Sequence, residues 1–238
     1  MNANMLVNES ASPLYRQLME RLRDDIAGGV YPPHSRIPSE TELCQTYRVS
    51  RVTVRKALAE LTREGLLRRM QGKGTFVCAP RISQSLRDVI SFHEACRLTG
   101  RTPGTRLISA RMTTPDATVR ADLGLSPEGQ CVEITRLRTA DGEPVMLETN
   151  CFGPGCSWLL DADLDGSLYT LLEARGMLPT RGIHEISLCY ATPAQARLLG
   201  VNAGDALLML NQIIFNQNGS PLHTSCQVIR GDRFTFRI

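Results

Sequence analysis

Apolar positions in the first third of the chain keep a helical period. Leu14, Leu18, Leu22 and Ile26, with Tyr15 and Met19 beside them, line one face of a helix that stops at Gly28-Gly29. Residues 1–11 read as a loose polar terminus, and Tyr31-Pro32-Pro33 as a stiff connector. Ser39, with Glu42 three residues on, has the capping-box pattern and opens a short helix running through Leu43 to about Tyr47. Ser50 is a second N-cap residue type. From it Val54, Ala57, Leu58 and Leu61 form an apolar back, while Arg51, Val52, Arg55 and Lys56 fall on the opposite side. Gly65 can close that helix. Leu66–Met70 and Thr75–Cys78 then read as short strands around Gln71-Gly72-Lys73-Gly74, where glycine permits positive φ and close backbone approach.

After Val77 the pattern changes. Residues 79–87, with Pro80, Ser83 and Ser85, read as a linker between a first domain at 1–78 and a second at 88–238. Residues 88–99 read as a helix, Arg106–Met112 as a strand, and Pro115–Leu123 as a helix entered through Thr114-Pro115 and stopped by Gly124. Thr114-Pro115, Leu123-Gly124, Gly129 and Asp141-Gly142-Glu143-Pro144 recur as Thr192-Pro193, Leu199-Gly200, Gly204 and Asn218-Gly219-Ser220-Pro221. Each copy is a helix, a strand, a glycine-containing turn and a return strand, which predicts a pseudo-symmetric antiparallel sheet backed by helices. Ser167–Gly176 reads as a helix between the copies, Ile183–Tyr190 as a strand, and Phe234–Ile238 as a last strand.

Strand alternation also places candidate chemistry. Along Cys131–Thr139, Arg136 and Arg138 continue the face of Val132 and Ile134. If that face points inward, two guanidiniums point inward with it, and they need carboxylates or a ligand anion. Arginine forks suit bidentate phosphate or carboxylate. Glu148, on the return strand, pairs with Arg136 if the hairpin register is even. In the second copy the matching positions read as Asn211 and Ile213, so the arginines break the symmetry. The bland alternative is two surface arginines on an edge strand. His34, His93 and His184 read as surface or satisfied residues.

Charge divides the chain unevenly. Residues 1–80 hold 12 Lys and Arg against 8 Asp and Glu, and residues 81–238 hold 15 against 16. A basic head on a near-neutral body fits a nucleic-acid partner for the head. Arg68, Arg69 and Lys73 add charge to the glycine hairpin. A capped helix, a helix with a basic front and a Gly-Lys-Gly hairpin, in that order, read as a winged helix-turn-helix whose second helix enters a major groove. The eight cysteines form no C-x-x-C pair and the four histidines no zinc spacing, so reduced core thiols and no metal or cofactor are expected. No apolar run reaches membrane length, and a soluble cytoplasmic protein is expected.

Leu14-Tyr15-Arg16-Gln17, Ile37-Pro38-Ser39-Glu40, Val49 to Leu58 and Gly72-Lys73-Gly74-Thr75-Phe76-Val77 resemble the DNA-binding head of the GntR family of bacterial transcription regulators. That resemblance implies base and phosphate contacts at Ser50, Arg51, Val52, Thr53 and Arg55, with Gln71 and Gly72 at a wing tip in the minor groove. Ser39, Glu40, Lys56 and Lys73 complete the expected DNA-contacting set. Thr41 departs from the family, many members of which carry arginine there. Residues 82–238 resemble the UTRA effector-binding domain of the HutC-like subgroup, through Ser91-Phe92, Thr135 to Arg138, Asp141 to Pro144, Glu148, Gly166 to Tyr169 and Arg230 to Phe234. The implied fold is that of chorismate lyase, an antiparallel sheet with helices around a ligand cavity, making the whole chain α+β. The resemblance implies ligand contacts at Ser91, Phe92, Arg136, Arg138, Glu148, Ser167 and Tyr169. His223 stands where many relatives carry an acid; it either meets a different functional group or packs beside the Asn218-Gly219 turn.

The expected function is a homodimeric transcription regulator, a repressor by family habit, bound to double-stranded operator DNA and released by a small anionic metabolite. Two other readings are a lyase-type enzyme, since fold does not fix function, and a DNA-binding repressor without a ligand. No catalytic triad, Walker or dinucleotide pattern supports the enzyme.

Overall fold

The structure is a computed structural model and describes residues 12–79 and 81–237. The expected polar terminus at 1–11 lies outside the described residues. The chain divides into two compact units, Met1–Pro80 and Arg81–Ile238.

The first unit contains α1 (Leu14–Ala27), α2 (Glu40–Tyr47), α3 (Arg51–Arg63), β1 (Leu67–Met70) and β2 (Gly74–Val77). The periodic positions form its core: Leu18 and Leu22 of α1 are buried with Leu43, Val54, Ala57, Leu58 and Leu61. Both helix starts are capped as the sequence predicts. Glu42 N–H donates to Ser39 Oγ at 3.3 Å, and Ser39 N–H donates to Glu42 Oε2 at 2.7 Å. Thr53 N–H donates to Ser50 Oγ at 3.2 Å. Gly65, at φ 76°, ends α3. β1 and β2 pair antiparallel around Gln71-Gly72-Lys73, with Gly72 at φ 71°. Gly74 is held to glycine by its φ of 117°, and an added Cβ would also have to displace the end of the Arg36 side chain.

The second unit is a six-stranded antiparallel sheet with order β4-β5-β6-β9-β8-β7. Its strands are β4 (Pro103–Thr113), β5 (Cys131–Ala140), β6 (Glu143–Phe152), β7 (Pro179–Tyr190), β8 (Ala206–Asn216) and β9 (Pro221–Ile229). That order is the predicted duplication: β4-β5-β6 mirrors β7-β8-β9 about the β6–β9 seam. The duplicated helices are α5 (Ala117–Asp122) and α7 (Pro193–Leu199), ending at Gly124 with φ 63° and Gly200 with φ 66°. α7 starts at Thr192 as predicted. α5 starts later than the expected Thr114-Pro115 entry, because Asp116 takes the Val119 N–H at 2.8 Å.

The expected linker needs correcting. Residues 82–85 form β3 (Ile82–Ser85), which pairs in parallel with the last strand, β10 (Phe234–Arg237). Ile82 is buried with Phe92 and Phe234, so apolar burial and a backbone ladder fix a stretch whose serines suggested freedom. The helix expected over 88–99 is α4 (Phe92–Leu98), delayed by its cap, since Ser91 Oγ accepts the Glu94 N–H at 3.2 Å. α6 (Leu168–Glu173) and a 3₁₀ segment at Pro154–Asp161 cover the other end of the same sheet face.

Phe234 sits at the centre of the β3–β10 closure, 6.3 Å from the Phe92 ring. Phe234→Ala is expected to cost about 3–5 kcal/mol of stability. Urea unfolding of the full chain, followed by fluorescence of Trp158 in the second unit, measures that loss.

Candidate functional site

In the first unit most of the predicted reading residues are exposed. Arg51, Val52 and Arg55 are exposed on α3, and Val52 keeps 76% of its surface in solvent. A large apolar side chain left that open at a helix start has no role in its own core. Gln71, Gly72 and Lys73 are exposed at the hairpin tip. Ser50 and Thr53 bond one another at 2.9 Å and hold the α3 N-terminus. Three predicted residues have other partners. Lys56 Nζ lies 3.9 Å from the Tyr15 ring centre, turned towards α1. Glu40 forms an ion pair with Arg69, tying the hairpin to the start of α2, and Ser39 is engaged in the capping box.

In the second unit one sheet face carries a polar pocket. β5 alternates as expected, with Val132, Ile134, Arg136 and Arg138 all buried. The register is even: Arg136 lies opposite Glu148, and their side chains bond at 2.7 Å. Arg136 Nη1 also donates to the Gly166 carbonyl at 3.1 Å. Arg138 is 1% exposed and meets Glu148 only at 3.8 Å. It bonds His93 Nδ1 at 2.9 Å and stacks over the Phe92 ring, 4.6 Å from its centre. Its Nε and Nη1 are buried without a hydrogen-bond partner.

Two guanidiniums thus face one carboxylate. Burial raises the Glu148 carboxyl, but Arg136 and Arg138 overcome that and hold it below its ordinary value. Burial, with Arg136 alongside, brings Arg138 down to about 10 against the pull of Glu148. Burial, then the Arg138 charge, lowers His93 to about 4. Burial likewise lowers His223 to about 4.

The pocket gathers every predicted effector residue: Ser91 and Phe92 from the start of α4, Ser167 and Tyr169 from the start of α6, and Arg136, Arg138, Glu148 and His223 from the sheet. His223 is not a turn residue; it packs between Phe152 and Tyr169, with ring centres 4.9 and 5.9 Å away. The inward positions of β8 are Gln212 and Ile214, not Asn211 and Ile213. The repeat offset on these strands is one residue longer than assumed, and a one-residue slip moves a side chain to the other face. His93 and His184 are also not bystanders: the first bonds Arg138, and the second lines the pocket and bonds Gln212 at 2.8 Å.

A model for the gntR family of bacterial regulatory proteins matches residues 14–77, and a UTRA domain model matches residues 98–235. The chain belongs to the GntR family of transcription regulators. It is 34% identical over 238 residues to the HTH-type transcriptional repressor NagR of Bacillus subtilis, covering 99% of this chain and 97% of that protein. It is also 34% identical to the uncharacterized HTH-type regulator YurK of the same organism, over 98% of both chains. The crystal structure of PhnF from Mycobacterium smegmatis superposes with a TM-score of 0.68 at 29% identity, covering 94% of this chain and 97% of that one. This GntR protein is therefore a regulator with a UTRA domain of the HutC-like type, and the enzyme reading falls. Among the described residues no helix is long and apolar enough to cross a membrane.

Sequence reading of this regulator missed Asn150, Ser225 and Gln227, which line the same pocket. The signal was present: Asn150 is two residues from Glu148, and Ser225 and Gln227 are two and four residues from His223, so strand alternation puts them on one face.

Glu148, His93 and His223 each contribute to the acid limb of stability. A carboxylate held low stabilises the fold above its unfolded value and loses that contribution as pH falls through the folded value. A histidine buried neutral binds its proton near 4 instead of 6.5, so the unfolded chain takes up protons first between those values. Stability is therefore expected to fall as pH drops from 6.5 to 4, and less steeply in His223→Gln. Urea midpoints across that range measure the difference. Glu148→Gln leaves two buried guanidiniums uncompensated and is expected to cost about 3–5 kcal/mol at neutral pH, read in the same way.

Proposed function

We propose that this protein is a dimeric cytoplasmic repressor that leaves its operator when a small organic anion fills the sheet pocket of the second unit. The observation that carries the reading is the surplus cation there. Arg138 is buried and lines the pocket, its charge is only half answered by Glu148, and its Nε and Nη1 have no hydrogen-bond partner. An anion with two oxygens in a plane, such as a phosphate or carboxylate, supplies both the missing charge and the missing acceptors. A sugar phosphate or a phosphorylated sugar–amine conjugate is the class we favour, with Ser91, Ser167 and Tyr169 at the rim and Phe92 behind Arg138. Relatives named as repressors, NagR and PhnF among them, support repression as the mode of action.

In the first unit, Arg51, Val52 and Arg55 with Ser50 and Thr53 present α3 to the major groove, and Gln71, Gly72 and Lys73 reach an adjoining groove. Glu40 positions the wing through Arg69, because a carboxylate facing phosphates would be repelled. Two copies on one two-fold axis require a roughly palindromic operator. The anion releases DNA only in so far as it binds the DNA-free arrangement more tightly. The pocket is lined in part by Gln84 and by residues 88–92. These belong to the stretch that leaves the boundary at residue 80, so ligand contacts bear on the chain just beyond the head.

The test separates the two units. Arg51→Ala and Arg55→Ala are each expected to weaken operator binding by about 1–3 kcal/mol in gel shifts at fixed salt, without changing effector affinity. Arg136→Ala with Arg138→Ala is expected to retain operator binding and lose induction. A double variant that is still released by the effector sinks the pocket assignment. Unaltered operator affinity in both head variants sinks the α3 assignment.

A further inference from the structure

One exposed side chain on α3 has no polar chemistry to offer. Val52 is the second residue of the helix and keeps 76% of its surface in solvent. Helical spacing orders the exposed sector as Arg51, Arg55, Val52 and Lys56 around the axis, so the valine stands between cations. Val54, Ala57, Leu58 and Leu61 serve the core and are buried on the other side. Valine is also a poorer helix former than the alanine, lysine or glutamate that suits a solvated helical position. Neither packing nor helix propensity accounts for it.

The local structure holds this side chain still. Ser50 and Thr53 bond one another at 2.9 Å, and the Thr53 N–H donates to Ser50 Oγ at 3.2 Å, which fixes the first turn of α3. Lys56, one turn on, has its ammonium over the Tyr15 ring at 3.9 Å. A β-branched side chain in a helix has one strongly preferred χ1. The two methyls of Val52 are therefore presented in one place and not swung on a flexible stem.

A rigid apolar group flanked by cations on a first helical turn has a specific counterpart on duplex DNA. Phosphates answer the cations, and the N-terminal residues of a recognition helix meet base edges. The one protruding apolar group in the major groove is the C5 methyl of thymine. Valine can neither donate nor accept a hydrogen bond. Set against a guanine or adenine edge, or the cytosine amine, it displaces that edge's water and replaces no bond. Set against the methyl, both partners remove apolar surface from water.

We infer that Val52 reads the C5 methyl of a thymine, one in each half of a two-fold operator. The inference rests on the α3 assignment proposed above and names the base that one of its residues selects. Burial of one methyl-sized apolar group is worth about fourfold in affinity, so two half-sites together give about fifteenfold.

Uracil, which lacks only that methyl, supplies the test. Duplexes retained by the full-length protein are selected from a random-sequence pool. Gel shifts at fixed salt then compare each selected duplex with versions in which one thymine at a time is replaced by uracil. One thymine in each half-site is expected to be sensitive, its uracil version binding about fourfold more weakly, and about fifteenfold with both halves changed. Val52→Ala is expected to bind the thymine and uracil versions equally, and Val52→Ile to keep the difference. Thermal melts of both variants are expected to match the parent, because the side chain lies outside the core. The reading is overturned if no thymine is sensitive to uracil, which is also the outcome if Val52 serves an apolar protein partner. It is overturned equally if the sensitivity persists unchanged in Val52→Ala, since the methyl then acts through the duplex itself or another side chain. In both cases the selected duplexes leave the α3 assignment standing. Retention of no duplex at all brings down that assignment and the thymine reading together.

Discussion

The second unit is organised around a buried charge imbalance. Removing an ion from water costs several kcal/mol, and a partner recovers that cost only at close range with its remaining hydrogen bonds satisfied. Arg136 meets those terms through Glu148 and the Gly166 carbonyl. Arg138 does not; it is held by an imidazole nitrogen and an aromatic face, both weaker than a carboxylate at bonding distance. Several features nearby follow from that surplus. His93 is held neutral by burial and then by the cation beside it, Phe92 is presented face-on to the guanidinium, and two short helices begin at the pocket rim with their caps, Ser91 and Ser167. A fold that keeps a half-answered cation inside is bearing a cost that an anion would offset.

The duplicated sheet explains why such a site has two unlike ends. Each half supplies one inward row, and the halves meet at the β6–β9 seam. The first half places Arg136 and Arg138 on β5 where the second places Gln212 and Ile214 on β8. A duplication fixes the backbone frame twice and leaves each copy of a position to diverge. Charge stands in one copy and neutral amide in the other, so the pocket has an ionic side and a hydrogen-bonding side without any change in topology.

Much of this was legible in the residues themselves. The first unit could be read almost throughout, because its signals are local: a cap at Ser39, a cap at Ser50, a 3.6-residue apolar period through Leu61, and glycines where φ is positive. The duplication was legible for the same reason, through its helix stops and hairpin glycines. What escaped depended on non-local facts. β3 is a strand only because β10 returns to it from the far end of the chain. Asn211 and Ile213 read as the matching positions because strand period is two and the repeat contains gaps, so an offset wrong by one inverts the face, and Gln212 and Ile214 line the pocket instead. His93 and His184 read as surface or satisfied residues because their partners, Arg138 and Gln212, are distant in sequence. Lys56 belongs to the reading side by periodicity, yet a four-carbon stem reaches round the helix to Tyr15.

The two units handle charge in opposite ways. Arg51, Arg55 and Lys73 are exposed, so their presentation costs little, and in the proposed complex their value would come from counterion release on a duplex. Such contacts are graded, salt-dependent and individually modest. Arg138 is buried, and the proposed contact with an anion would be close to all-or-none, because either the missing acceptors are supplied or they are not. A regulator needs both kinds. On the proposed reading, many weak, additive contacts would give a head that can be displaced, and one steep, desolvated contact would give a body that answers to a small molecule. Equal affinity for DNA-bound and DNA-free arrangements would make even a tight ligand silent. The steepness of the Arg138 contact is therefore useful only if a shift in the residues around it is felt in the chain that leaves the head, and residues 88–92, which line the pocket, are part of that chain.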